Sequence, residues 1–199
     1  GASIISNVSP AVSGGIVVVP YLSGEVLVVD ADTGETLWTD TLTSTRSRSS
    51  VAAIGNPGRP VINGGTVFAI GNAGRMIASS ERTGERLWSK TIRSIQTPWV
   101  AGDGVFVVST SGRLMALNRK TGAMHWATNL PGGGKWSGPV LAGGKLWLAS
   151  DKGKLARVDA ATGRVLGTSD LGDPVFIAPV VADGKMFVLT DTARLIALR

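Results

Sequence analysis

Four times the chain writes a Thr-Gly pair at the head of a strand: DADTGETLW at 30–38, ERTGERLW at 81–88, RKTGAMHW at 119–126 and AATGRVLG at 160–167. In the first three, a tryptophan stands four residues after the glycine, at Trp38, Trp88 and Trp126; in the fourth, that position is Gly167. The glycines, Gly34, Gly84, Gly122 and Gly163, are spaced by 50, 38 and 41 residues. A recurrence near 40 residues is the mark of a repeat architecture, and it restricts the fold more than composition can.

A second column lies about 24 residues before each glycine: Pro10, Pro60, Trp99 and Pro139, with a fifth member at Pro179. In the third unit a proline comes one residue early, at Pro98. A turn follows at fixed distance, at Gly14-Gly15, Gly64-Gly65, Asp103-Gly104, Gly143-Gly144 and Asp183-Gly184. The chain therefore holds four whole units and a shortened fifth. The first unit reads as four short strands, Ala11–Ser13, Ile16–Pro20, Glu25–Asp30 and Glu35–Leu42, divided by small-residue turns. Gly-Gly and Asp-Gly supply the positive φ angles of tight hairpins. In the Asp-x-x-Thr-Gly turn the carboxylate accepts backbone N–H groups two or three residues on, and the glycine takes the left-handed conformation. No stretch keeps a 3.6-residue apolar period, so no helix is predicted.

Four antiparallel strands per unit predict an all-β chain, a β-propeller of four-stranded blades. The blades are expected at about 7–42, 59–92, 97–130, 137–171 and 177–199, in one partial propeller domain spanning 1–199. A flat ring at the same place in each outer strand can pack onto the next blade, a burial worth about 2–3 kcal/mol. Trp38, Trp88 and Trp126 are thus expected to be mostly buried between blades, and the joint after Gly167 to be looser. The fifth unit stops at Leu198-Arg199, where its Thr-Gly turn should follow. The expectation is an open arc whose exposed strand edges invite self-association.

Composition narrows the function classes. No 18-residue apolar run is present, which leaves no transmembrane helix. GASIISNVSPAV lacks the basic region and apolar core of a signal peptide. The absence of cysteine excludes thiol chemistry and cysteine metal sites, and fits an oxidising compartment and the cytosol equally. The net charge is +6, but the basic residues scatter over turns and strand ends, with Arg46 and Arg48 the densest run. Nucleic-acid binding would need them clustered with aromatics on one face. The lone histidine, His125, has no acidic or cysteine cluster beside it. PGGGKW at 131–136 lacks the spacing and the following helix of a phosphate loop. Asp151-x-Gly153 and Asp183-Gly184 lack the alternating acidic ligands of a calcium loop. No catalytic, metal-binding or cofactor-binding residue is read. Two segments break the repeat instead: GASIISN, with Ile4 and Ile5, and TSTRSRSSVAAIGNPGR at 43–59. Insertions in repeat proteins map to loops, often on the binding face.

The third unit, TPWVAGDGVFVVSTSGRLMALNRKTGAMHW, resembles the pyrroloquinoline-quinone-type propeller repeat. One branch using it is the quinone-dependent alcohol dehydrogenases, which carry a vicinal cysteine pair and calcium-binding acidic residues that have no counterpart here. The other is non-catalytic. Runs such as GRPVINGGTVFAIGNAGRMIASSERTGERLWSK (58–90), KWSGPVLAGGKLWLASDKG (135–153) and IAPVVADGKMFVLTD (177–191) are similar to the C-terminal part of the BamB family. These are lipoproteins of the outer-membrane β-barrel assembly machinery.

That resemblance implies an eight-bladed ring of which this chain matches the last five blades. It also implies a place at the periplasmic face of the outer membrane, through a lipidated cysteine that this chain does not include. The implied role is a scaffold without cofactor that binds the periplasmic domains of the barrel-inserting subunit, BamA. In the family, contact is made by a segment before the fourth blade and by the link into the fifth. Here these positions are Ala2, Ile4 and Ile5, where the family has Leu, Leu and Arg, and then Gly55 and Pro57. With the apolar and basic residues of the repeat-breaking segments, the candidate partner-binding set is Ala2, Ile4, Ile5, Arg46, Arg48, Ile54, Gly55 and Pro57. Two other readings are a piece of a quinoprotein dehydrogenase and a sensor propeller for a small ligand or polysaccharide.

Overall fold

A computed structural model describes residues 9–43 and 57–198. Among these residues there are nineteen strands and no helix. β1 (Ala11–Ser13), β2 (Ile16–Pro20), β3 (Glu25–Asp30) and β4 (Thr36–Thr41) form an antiparallel meander. β5 (Val61–Asn63), β6 (Thr66–Ile70), β7 (Met76–Ser80) and β8 (Arg86–Lys90) repeat it. So do β9 (Trp99–Ala101), β10 (Gly104–Val108), β11 (Arg113–Asn118) and β12 (Met124–Asn129). A fourth copy is β13 (Val140–Ala142), β14 (Lys145–Ala149), β15 (Lys154–Asp159) and β16 (Val165–Asp170). The fifth sheet has three strands, β17 (Val180–Ala182), β18 (Lys185–Leu189) and β19 (Leu195–Leu198). The chain divides into two compact units. The first holds the β1–β4 and β5–β8 sheets together with residues 91–98 and 120–122, and the second holds the other three sheets.

One turn falls a residue earlier than expected. β10 begins at Gly104, which pairs with Ala101 and Asn118, so the turn is Gly102-Asp103 rather than Asp103-Gly104. Gly102 takes the left-handed position, with φ 54°. The third unit is therefore anchored by Pro98, and Trp99 is the first residue of its strand.

The repeat extends to details that spacing alone does not show. In each four-stranded sheet the register slips between the third and fourth strands, after Val28, Ala78, Ala116 and Arg157. Such a bulge adds local twist. In each case the residue before the slip pairs with the Trp position: Val28 with Trp38, Ala78 with Trp88, Ala116 with Trp126 and Arg157 with Gly167. Four residues beyond that position lies a buried aliphatic residue, Leu42, Ile92, Leu130 or Leu171. The N–H groups of Leu42, Leu130 and Leu171 donate to the carbonyls of Gly24, Gly112 and Gly153, at 2.7, 2.9 and 2.7 Å. This pins the start of those three links to the turn between the second and third strands. The core of the first unit is the face between its two sheets, with Val18, Val26, Val28, Leu42, Val67, Ala69 and Ile77 all buried.

The first and fourth Thr-Gly turns are held by acidic acceptors. Asp30 accepts the N–H groups of Asp32 (3.0 Å) and Thr33 (2.8 Å), and Asp159 accepts the hydroxyl (2.7 Å) and N–H (2.8 Å) of Thr162. The Thr33 N–H foremost, then that of Asp32, holds the Asp30 carboxyl below its ordinary value. The Thr162 hydroxyl and then its N–H do the same for Asp159. Stability from a lowered carboxyl is present above the ordinary value and is lost as pH falls through the lowered one. The melting temperature is therefore expected to drop slightly on acidification below about pH 4. A double variant Asp30→Asn with Asp159→Asn should flatten that part of the curve. An unchanged profile in a melting series from neutral to acid pH would show that these carboxyls do not titrate with folding.

Candidate functional site

The motif tryptophans each pack on the glycine of the next motif along the chain. The Trp38 indole on β4 donates from Nε1 to the Glu81 carbonyl (2.9 Å), and its ring covers Gly84, where a Cβ would come within 2.6 Å of it. Beneath it, Asp40 accepts Ser79 Oγ (3.0 Å) and the Arg86 guanidinium. Trp88 covers Gly122 in the same way and stands 6.0 Å from the Phe68 ring. In the second unit, Trp126 donates to the Ala160 carbonyl (3.1 Å), covers Gly163 and stands 6.1 Å from Phe106. Each ring thus rests on the glycine of the following motif. Gly34, the glycine of the first motif, has nothing within 4 Å of where a Cβ would be. Trp38 and Trp88 are buried. Trp126, expected to match them, is half-buried, on a strand that has no buried residue at all.

Of the candidate partner-binding residues, Ala2, Ile4, Ile5, Arg46, Arg48, Ile54 and Gly55 lie outside the described residues. Pro57 lies inside them. It is buried and forms an antiparallel bridge with Gly71, while Thr43, on the other side of the insertion, bridges Gly74. Gly71–Gly74 is the turn between β6 and β7, so both feet of segment 44–56 stand on one turn. The turn between β2 and β3 is beside them: a Cβ on Gly24 would meet Thr43 at 2.8 Å and Ala73 at 3.9 Å. The link after β8 arrives at the same place. Ser94 donates its N–H to the Gly71 carbonyl (3.5 Å), and Arg93 Nε is 3.7 Å from a Cβ placed on Gly74.

Three exposed side chains stand on these elements: Tyr21 in the β2–β3 turn, and Arg93 and Ile95 in the link. Sequence reasoning missed them because it sought breaks in the repeat, and these residues sit within regular parts of it. The available signal was positional. In a meander, the turn after the second strand and the link after the fourth share one end, so exposed aromatic and aliphatic residues there stand at the end that Thr43 and Pro57 occupy.

The other features singled out in the sequence take structural places. His125 is exposed on β12. The glycine run 131–136 joins β12 to β13, with the Lys135 N–H on Asp151 Oδ1 (2.9 Å) and Trp136 buried. Among the described residues no group of three or more His, Cys, Asp or Glu stands close enough to hold a metal ion.

The family model for the outer membrane protein assembly factor BamB matches residues 1–128 and 125–199. The crystal structure of BamB from Moraxella catarrhalis is similar with a TM-score of 0.86 and 18% identity, over 98% of this chain and 59% of that one. The computationally designed Ika8 protein is similar with a TM-score of 0.74 and 15% identity, over 94% of this chain and 56% of that one. The quinohemoprotein alcohol dehydrogenase ADHIIG from Pseudomonas putida HK5 is similar with a TM-score of 0.70 and 16% identity, over 98% of this chain and 41% of that one. No curated protein matches the chain by sequence. At these identities the three structures establish the fold, a β-propeller with five blades present, and this chain spans 59% of the length of the Moraxella protein.

Proposed function

Since the chain belongs to the family of the outer membrane protein assembly factor BamB, we propose that it is a non-catalytic propeller scaffold of the outer-membrane protein assembly machinery. It works at the periplasmic face of the outer membrane and docks the periplasmic domains of the barrel-inserting subunit. The observation that carries this reading is the pair of bridges, Thr43 to Gly74 and Pro57 to Gly71, that fasten both feet of the insertion to one turn. Thr43 and Pro57 thus stand at the same end of the first unit as Tyr21, Arg93 and Ile95. Interfaces draw most of their energy from a few aromatic, aliphatic or Arg anchors worth about 2 kcal/mol or more each. This end of the first unit has all three kinds.

A quinone dehydrogenase shares the fold. The sequence has no cysteine and no acidic set like that of those enzymes, which supports the scaffold reading. Adding pyrroloquinoline quinone and calcium is expected to leave no bound chromophore after gel filtration.

The docking test is a binding titration of the chain against the periplasmic domains of the cognate barrel-inserting subunit. Tyr21→Asp with Ile95→Asp, a shortened 44–56 segment, and Ile4→Asp with Ile5→Asp are each expected to weaken binding at least tenfold. Their unfolding transitions should stay in place. If all three remain folded and bind like the parent, the docking surface lies elsewhere.

A further inference from the structure

The joint between the β13–β16 and β17–β19 sheets departs from the others in a correlated way. In the first three blades a tryptophan on the fourth strand faces a small or apolar partner across the pair: Val28, Ala78 or Ala116, each buried. In the fourth blade both members change, to Gly167 opposite Arg157. Arg157 fills part of the space the indole would take, its Nη2 lying 3.2 Å from a Cβ placed on Gly167. No residue of β16 is buried. Where the Trp126 ring closes the preceding joint, this one holds a cavity of about 600 Å³.

The cavity walls combine two chemistries. Trp147, Leu155, Met186, Ile196 and Leu198 make an apolar lining. The Trp147 N–H is already spent on the Ala142 carbonyl (3.2 Å), so what its ring offers a ligand is apolar surface. The charged lining is basic. Asp170 is the one carboxylate on it among the described residues, and it is paired with Lys154 at 2.6 Å. Arg194 is paired with Asp173 at 2.9 Å. Lys145, Arg157 and Lys185 line the cavity with no ion pair among the described residues, and the Arg157 Nε is buried without a hydrogen-bond partner. A guanidinium that lines a cavity pairs best with a two-oxygen anion. The volume falls in the range of small-molecule sites, about 300–1,000 Å³.

We propose that this joint is a binding site for a small organic anion with a flat apolar body, its carboxylate on Arg157 and its rings between Trp147 and Met186. Its occupancy does not depend on the protein partner.

The test is calorimetric titration of the chain with biphenyl carboxylate and with its neutral counterpart, biphenyl methanol. One carboxylate is expected to bind per chain, at least tenfold more tightly than the alcohol. Arg157→Met should abolish that preference, and Arg157→Lys should keep part of it. Val181→Trp fills the cavity from the exposed side of β17 and should weaken both probes at least tenfold. No detectable carboxylate binding overturns the proposal, as does equal affinity for the two probes. A preference that survives Arg157→Met, or binding untouched by Val181→Trp, overturns it too. Should the Met variant fail to fold, the Val181→Trp result and the probe comparison in the parent decide the matter.

Discussion

Trp88→Ala is expected to destabilise the first unit by about 3–5 kcal/mol, the cost of removing a large ring from a packed position. Trp88 is 8% exposed, and Phe68, fully buried, stands 6.0 Å from it. Transfer of the ring to water accounts for about 2–3 kcal/mol. The remainder is the cavity, because the opposite wall cannot collapse into it. That wall is the backbone of Gly122, which has no side chain to turn inward and whose φ of 68° is fixed by its turn. The change should appear as a lower denaturant midpoint, read by circular dichroism since the substitution removes a fluorophore. A midpoint shift worth less than about 1 kcal/mol would mean that Trp88 is not a joint residue.

Gly84→Ala is expected to cost about 2–5 kcal/mol, and Gly34→Ala only about 1–2 kcal/mol. The two positions share the turn and the backbone, with φ of 72° and 74°. Both substitutions therefore carry the left-handed penalty of an L side chain. They differ in what the new methyl meets: at Gly84 it overlaps the Trp38 ring, at Gly34 it enters open space. The overlap adds an overpacking cost of about 1–3 kcal/mol. A double-mutant cycle of Gly84→Ala with Trp38→Ala isolates this part, because truncating the indole removes the clash and leaves the backbone strain. If the two glycine variants lose the same stability, the glycine is required by its turn alone and the interlocking of motifs is incidental.

The sheets were legible in the sequence because their causes are local. Hairpin turns, β-branched runs and the Asp-x-x-Thr-Gly cap each act within a few residues, and together they bound nearly every strand. The one misplaced turn came from two competing anchors, Pro98 and Trp99, where the need for a left-handed residue at Gly102 decides. The joints were half legible. Regular tryptophans announced that blades pack, but the partner of each ring is set by the following motif, 34 or more residues on. The meaning of Arg157 was hidden for a further reason. It is only unusual once the register, with its bulge, places it opposite Gly167. That Tyr21, Arg93 and Ile95 stand at the same end as Thr43 and Pro57 was not legible, because they are gathered there only by the folded β6–β7 turn.

The one-way packing of tryptophan on the next glycine has an evolutionary corollary. Each unit carries both halves of a coupling, a socket at its own Thr-Gly turn and a plug four residues later. Recombination that duplicates or deletes one whole unit among the first three leaves every coupling matched, however far the rest of the sequence has drifted. The fourth unit keeps its socket and has exchanged its plug for Gly167 and Arg157. A copy spliced in after it would meet a guanidinium instead of an indole. Whole-unit duplication or deletion among the first three is thus compatible with these couplings, while insertion at the β16–β17 boundary is not.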